Sequence, residues 1–198
     1  MKRPCYFVIL VLVSAILSGC LSPTMYVDTA LPSVSKADVA ASESPQPIQL
    51  LFEFQSKGSA NARATEFTKE TVFKVINDSG LFSTVSGEPQ PNQRRLTIVI
   101  NNFPITQDAA SKGFVVGLTF GAAGTTITDG YDCKATLTVP GAAPVALEYK
   151  HALHTTIGNA TPPGGIKPEP TPKEAVEKMI SQLMWSIMRD VSKAKALQ

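Results

Sequence analysis

Cysteine and histidine are the residues of this 198-residue chain with the widest chemical repertoire, and it holds three of the first and two of the second. The histidines stand three apart in His151-Ala152-Leu153-His154. On a helix that spacing would place both imidazoles on one face, ready for a metal. The surrounding residues alternate as a strand does, which sends them to opposite faces instead. Zinc also needs three or four ligands, and Glu148 is the one carboxylate close by in sequence, so no metal site is expected. Cys133 lies in the alternating run Tyr131 to Val139. A buried structural thiol is the simple expectation; a reactive or intermolecular thiol is the sharper one. Cys133 with either histidine could form a thiol dyad, but no signature orients such a pair. There is no Gly-x-Ser-x-Gly elbow and no His-Glu-x-x-His, and no Lys-Ser/Thr follows the glycine-rich stretch as a phosphate loop requires. No catalytic residue is assigned, and the expectation is a protein that is not an enzyme.

Cys20 belongs to a different chemistry. Lys2 and Arg3 precede an apolar run from Tyr6 to Leu17, broken only by Ser14, which leads into Leu17-Ser18-Gly19-Cys20. A charged start, an apolar core and small residues at the cut make a secretory signal. The apolar run is well short of the roughly 20 residues of a membrane-spanning helix. The ending resembles the bacterial lipobox. In that family the cysteine thiol receives a diacylglycerol, the chain is cut before it, and the freed amine takes a fatty acyl group such as palmitate. The resemblance implies residues 1–19 as signal peptide, Cys20 as the lipidation site, and no cofactor beyond that covalent lipid. Two or more acyl chains hold a protein stably on a membrane. Leu21, where an aspartate would favour inner-membrane retention, implies the periplasmic face of the outer membrane of a Gram-negative bacterium.

Once the signal is set aside, Cys133 is the one remaining free cysteine, and no intramolecular disulfide can form. The formal charge of +2 is due to Lys2 and Arg3, so the remainder is neutral. A neutral domain without a cationic stripe lacks the electrostatic footprint of a nucleic-acid binder.

Residues 20–47 are rich in Ser, Pro and Ala without an apolar period and read as a lipidated, flexible tether. Residues 48–198 read as one domain. Ile48 to Phe54 alternates as a strand. Asn61 to Asn77 carries a helical stripe of Ala64, Phe67, Thr71 and Val75, widened by Val72 and Ile76, and Gly80 suits a left-handed cap. Leu81 to Val85 and Arg95 to Ile100 read as strands, and Asp132 to Val139 with Val145 to Leu153 as a hairpin. Thr171-Pro172-Lys173-Glu174 is a capping box with proline at the first helical position. Val176, Met179, Ile180, Leu183, Ile187 and Val191 form the stripe that follows.

One interval stands apart. From Gly113 to Thr128 there is no charge, and Gly113, Gly117 and Gly121 recur at every fourth residue. The spacing suits close approach of backbones. Such a run could be a glycine-rich buried strand or bend, an exposed loop that touches a partner or lipid, or a pore hairpin. Phe114, Val116, Leu118 and Phe120 are its candidate contact residues.

The lipobox, the Ser/Pro stretch, the helix-to-strand step Ser79-Gly80-Leu81-Phe82 and the closing amphipathic helix together resemble the small periplasmic α/β lipoproteins of envelope assembly and transport. That resemblance implies an α+β, two-layer sandwich: a mostly antiparallel sheet with two helices packed on one face. It also implies a membrane-anchored adaptor or accessory subunit with an envelope protein partner and scope for self-association. The alternative is an oligomeric, lipid-associated or pore-forming subunit that uses residues 113–128. A hydrolase of peptidoglycan would need Cys133 or His151.

Overall fold

The structure, a computed structural model, describes residues 23–106 and 124–194. Alternation of apolar residues accounts for its centre. In β2 (Gln46–Ser56) Ile48, Leu50 and Phe54 are buried, and in β5 (Arg95–Pro104) Leu96, Ile98 and Ile100 are. In β6 (Thr125–Thr138) the same face carries Tyr131, Cys133, Ala135 and Leu137. Successive strand residues point to opposite faces, so each of these sets lies on one side. β7 (Val145–Ile157) pairs antiparallel with β6, Cys133 opposite Tyr149 and Tyr131 opposite His151.

Two helices cover that side, as the sequence leads one to expect. In α1 (Ala62–Asp78) the Asn61 side chain accepts from the Ala64 N–H at 3.0 Å, and the chain turns out at Gly80 with φ 75°. Its buried residues are Thr68, Val72, Val75 and Ile76. The stripe is therefore rotated from the expected one. Phe67 points outward at 51% exposure, because Ala64, Thr68, Val72 and Val75 form the ridge that meets the sheet. In α2 (Pro172–Ser192) the Thr171 hydroxyl accepts from the Glu174 N–H at 3.2 Å. Met179, Ile180, Leu183, Met184, Ile187, Met188 and Val191 are all fully buried. Each such side chain contributes about 1.5–3 kcal/mol relative to exposure, so the methionines serve packing.

Among the described residues the sheet has seven strands; with β1 spanning Thr24–Val27 and β3 spanning Ser59–Ala60, their order is β1-β7-β6-β5-β2-β3, with β4 (Phe82–Ser86) also on β2. The pairs β1·β7, β7·β6, β6·β5 and β2·β3 are antiparallel. β2 runs parallel to β4 and β5, as it must when α1 separates it from them. Among the described residues the other sheet face has no helix on it, and Glu148, Lys150 and Lys134 stand exposed there.

The segment expected to be a flexible tether is not free. β1 (Thr24–Val27) pairs with β7, Val27 and Tyr26 are buried, and Leu31 and Val39 pack against the core. The Ala40 N–H reaches the Ser192 hydroxyl at 3.0 Å. Scattered apolar residues without a period had no sequence signature, yet β1 satisfies the edge of β7, which would otherwise be open. β3 (Ser59–Ala60), a two-residue turn-back on β2, likewise had no signal. β6 begins at Thr125, so the end of the uncharged run is strand.

Candidate functional site

Cys20, Phe114, Val116, Leu118 and Phe120 all lie outside the described residues. The histidines are placed. They fall on opposite faces of β7, as strand alternation requires. His151 is buried on the helix side, where its Nε2 meets the Gln182 Oε1 at 2.7 Å and its Nδ1 accepts from the Ala152 N–H at 2.9 Å. With an N–H donor at Nδ1 and a carbonyl oxygen at Nε2, the ring is neutral with its proton on Nε2. Burial pushes its pKa down, against the contact with Gln182.

His154 lies on the open face between two partners. Its Nδ1 is 3.0 Å from the Thr128 hydroxyl and its Nε2 is 3.0 Å from the Asp28 Oδ2. Burial alone would raise the Asp28 carboxyl, but the bond to His154 and that from the Ala30 N–H outweigh it and hold the pKa below the ordinary value. Hydroxyl, imidazole and carboxylate in series are the parts of a nucleophile and its base. For a developing oxyanion, the backbone donors nearest Thr128 among the described residues are already engaged. The N–H groups of Ile105 and Thr106 both donate to the Thr128 carbonyl, and the Thr128 N–H donates to the Thr106 hydroxyl. Acyl transfer depends on such donors being free. The series instead fastens β1 to the two strands beside it, since His154 sits opposite Thr128 on one side and Tyr26 on the other.

Cys133 has no measurable exposure, and burial pushes its thiol up to about 12. A thiol in that state is not a nucleophile, and both imidazoles are committed to other partners. Among the described residues no group of three His, Cys, Asp or Glu side chains is placed to hold a metal.

The concavity with binding character lies at the other edge of the sheet. β4 covers β2 as far as Gln49 and β3 covers it from Gln55 on, which among the described residues leaves 50–54 without a strand on that side. At Phe54 the edge is closed by α1: the Phe54 N–H donates to the Thr65 hydroxyl at 2.9 Å, and the Phe54 carbonyl accepts from the Asn61 N–H at 2.8 Å. The Gln49 N–H faces β5. By the same alternation the N–H and C=O of Phe52 face the gap. A groove of about 460 Å³ runs there, between Thr65, Lys69 and Phe73 of α1 and Leu51, Phe52 and Val99 of the sheet. Leu51 is 39% exposed. Lys69 Nζ lies 6.0 Å above the Phe73 ring, a cation over an aromatic face. The sequence reading missed this place, because a gap in strand pairing is a tertiary fact; the Leu50-Leu51 doublet was its trace.

No protein-family model matches the chain. No curated protein matches it. Among solved structures, an uncharacterised protein aligns with 75% of this chain and 88% of its own, at 9% identity and a TM-score of 0.31. A dodecameric point variant of PelC from Paraburkholderia phytofirmans aligns with 82% of this chain and 98% of its own, at 13% identity and a TM-score of 0.31. The rare lipoprotein B from Shewanella oneidensis aligns with 74% and 88%, at 9% identity and a TM-score of 0.25. Likeness this slight carries no argument about what the chain does.

Proposed function

We propose that this chain is a lipid-anchored accessory protein of the bacterial envelope, held through Cys20 on the periplasmic face of the outer membrane, that binds a protein partner and performs no chemistry. The observation that carries the binding role is the interrupted edge of β2. An unpaired N–H and C=O at Phe52, beside apolar walls, suits a short extended segment of another protein that adds to the sheet edge. Main-chain bonds to Phe52 would supply the pairing. Leu51 and Phe73 would take apolar side chains of the incoming segment, with Lys69 and Glu66 at the rim.

The anchoring half rests on Leu17-Ser18-Gly19-Cys20 and the apolar run before it. No helix among the described residues is long and apolar enough to cross a membrane, so attachment by acyl chains is the route this reading takes. The non-catalytic half is supported by the engaged N–H groups around Thr128 and by the inert Cys133.

A photo-crosslinking residue placed at Leu51 or Lys69 in living cells tests the binding half. Both positions should give one discrete adduct of the same mass. A crosslinker at Lys150, on the open sheet face, should give none. Leu51→Asp should remove the Lys69 adduct. Equal adducts from all three positions, or none from the groove, would overturn the assignment.

A further inference from the structure

Four strand termini meet at one end of the sheet. Thr24 of β1 is opposite Thr156 of β7, Thr125 of β6 is opposite Ile157, and β5 leaves the sheet just after Pro104, which faces Asp129. We infer that this end rests directly on the lipid surface, with Ile105, Ile127 and Ile157 in contact with it and the sheet standing end-on to the membrane. The inference deepens the anchored reading and rests on it.

Chain length supplies the first argument. Cys20 precedes Thr24 by four residues. Even fully extended, those four steps reach no more than about 14 Å. β1 is locked to β7 and to Asp28–His154, so the strap cannot lengthen this reach by letting go of the domain. A lipid on Cys20 therefore holds this end, and not the opposite one, close to the bilayer.

Charge supplies the second. The stretches that converge here, residues 21–27, 101–107 and 155–166, contain no Asp, Glu, Lys or Arg. Placing such charges in the apolar boundary of a membrane is costly, and this end presents none in these stretches. Ile105 is 53% exposed on the open face, and Ile127 and Ile157 are half-buried at the same end on the helix side. Among the described residues the acids nearest this end are withdrawn. Asp28 is tied to His154, Glu169 to Lys178 with its side chain 13% exposed, and burial raises the Asp129 carboxyl above its ordinary value. Exposed cations flank the end: Lys57 in the β2–β3 turn, Arg63 in the first turn of α1, and Lys167 two residues before Glu169, whose N–H bonds to the Met25 carbonyl. The far end differs, with Glu88, Arg94 and Arg95 around the start of β5. An apolar contact rimmed by Lys and Arg is the arrangement that binds a lipid interface, where the apolar part enters by roughly 5–10 Å.

The test uses the full-length chain from membranes, reconstituted into phosphatidylethanolamine–phosphatidylglycerol vesicles that carry a nitroxide-labelled lipid. A fluorophore is placed by Ile105→Cys, Ile157→Cys or, as control, Ala142→Cys in the distant β6–β7 turn. Buried Cys133 and acylated Cys20 take no label. Quenching at positions 105 and 157 should exceed that at 142 by about twofold or more, as a contact a few ångströms into the boundary requires. Position 105 is 53% exposed at the end of the sheet, so its label perturbs the core least. Equal quenching at all three positions in protein that floats with the vesicles would overturn the end-on contact and leave the anchor standing. Protein that does not float at all would overturn the anchor, and this inference with it.

Discussion

On one edge of the sheet β1 pairs with β7 through all four of its residues, and Asp28, His154 and Thr128 tie three strands together. On the other edge β3 and β4 cover only the two extremities of β2 and leave a groove between them. A closed edge with buried Tyr26 and Val27 serves stability and, in the proposed anchoring, fixes where the lipidated end would emerge. An interrupted edge with exposed Leu51 keeps backbone polar groups available for another chain. Sheet edges left open invite pairing, so an opening confined to one short gap limits what can enter.

That contrast can be broken most severely at Val27, which is 2% exposed on the closed edge. Val27→Asp puts an uncompensated charge into the core and should cost about 3–5 kcal/mol in urea unfolding. A loss below 1 kcal/mol would mean that β1 contributes little to the fold.

The histidines sharpen it through pH. His151 has its pKa depressed below the ordinary 6.5 by burial. The unfolded chain therefore binds this proton more readily than the folded one, and stability falls as pH drops below about 6.5, by up to about 1.4 kcal/mol per unit until the folded value is reached. His151→Gln should flatten that slope in urea titrations between pH 5 and 7. Asp28 works the other way. Its depressed carboxyl adds stability that is fully present above the ordinary 3.8 and is lost as pH falls through the folded value. Asp28→Asn should cost about 0.5–1 kcal/mol near neutral pH, with the difference from the native chain vanishing at the acid end. On the open edge, Leu51→Asp should change stability by less than about 0.5 kcal/mol while it removes the crosslinked partner. If Leu51→Asp unfolds the chain instead, the groove is part of the core and not a binding surface.

Much of this was legible in the residues. Period-two burial in Ile48 to Phe54 and Leu96 to Ile100, the Thr171-Pro172 start of α2 and the left-handed Gly80 each act locally, so a sequence pattern reports them. The closed edge was not legible. Met25, Tyr26 and Val27 sit among Ser, Pro and Ala, and only the vacant side of β7 gives them a place. The rotated face of α1 escaped for a related reason: Phe67 and Thr68 compete for one ridge, and packing against β2 chose the smaller residue. The groove is defined by what does not pair with β2, which no local pattern encodes. Cys20 is the reverse case, a lipidation site proposed from its four-residue motif and the run before it alone, outside the described residues.

The central claim is that this domain is held on a membrane by a lipid on Cys20. Intact mass measurement of the protein isolated from membranes addresses it directly. The account predicts a chain that begins at Cys20 and carries the mass of a diacylglycerol plus an amide-linked acyl group, and a Cys20→Ala protein that is no longer membrane-bound by such a group. A mature chain that begins elsewhere, or one that begins at Cys20 without added lipid mass, would contradict it.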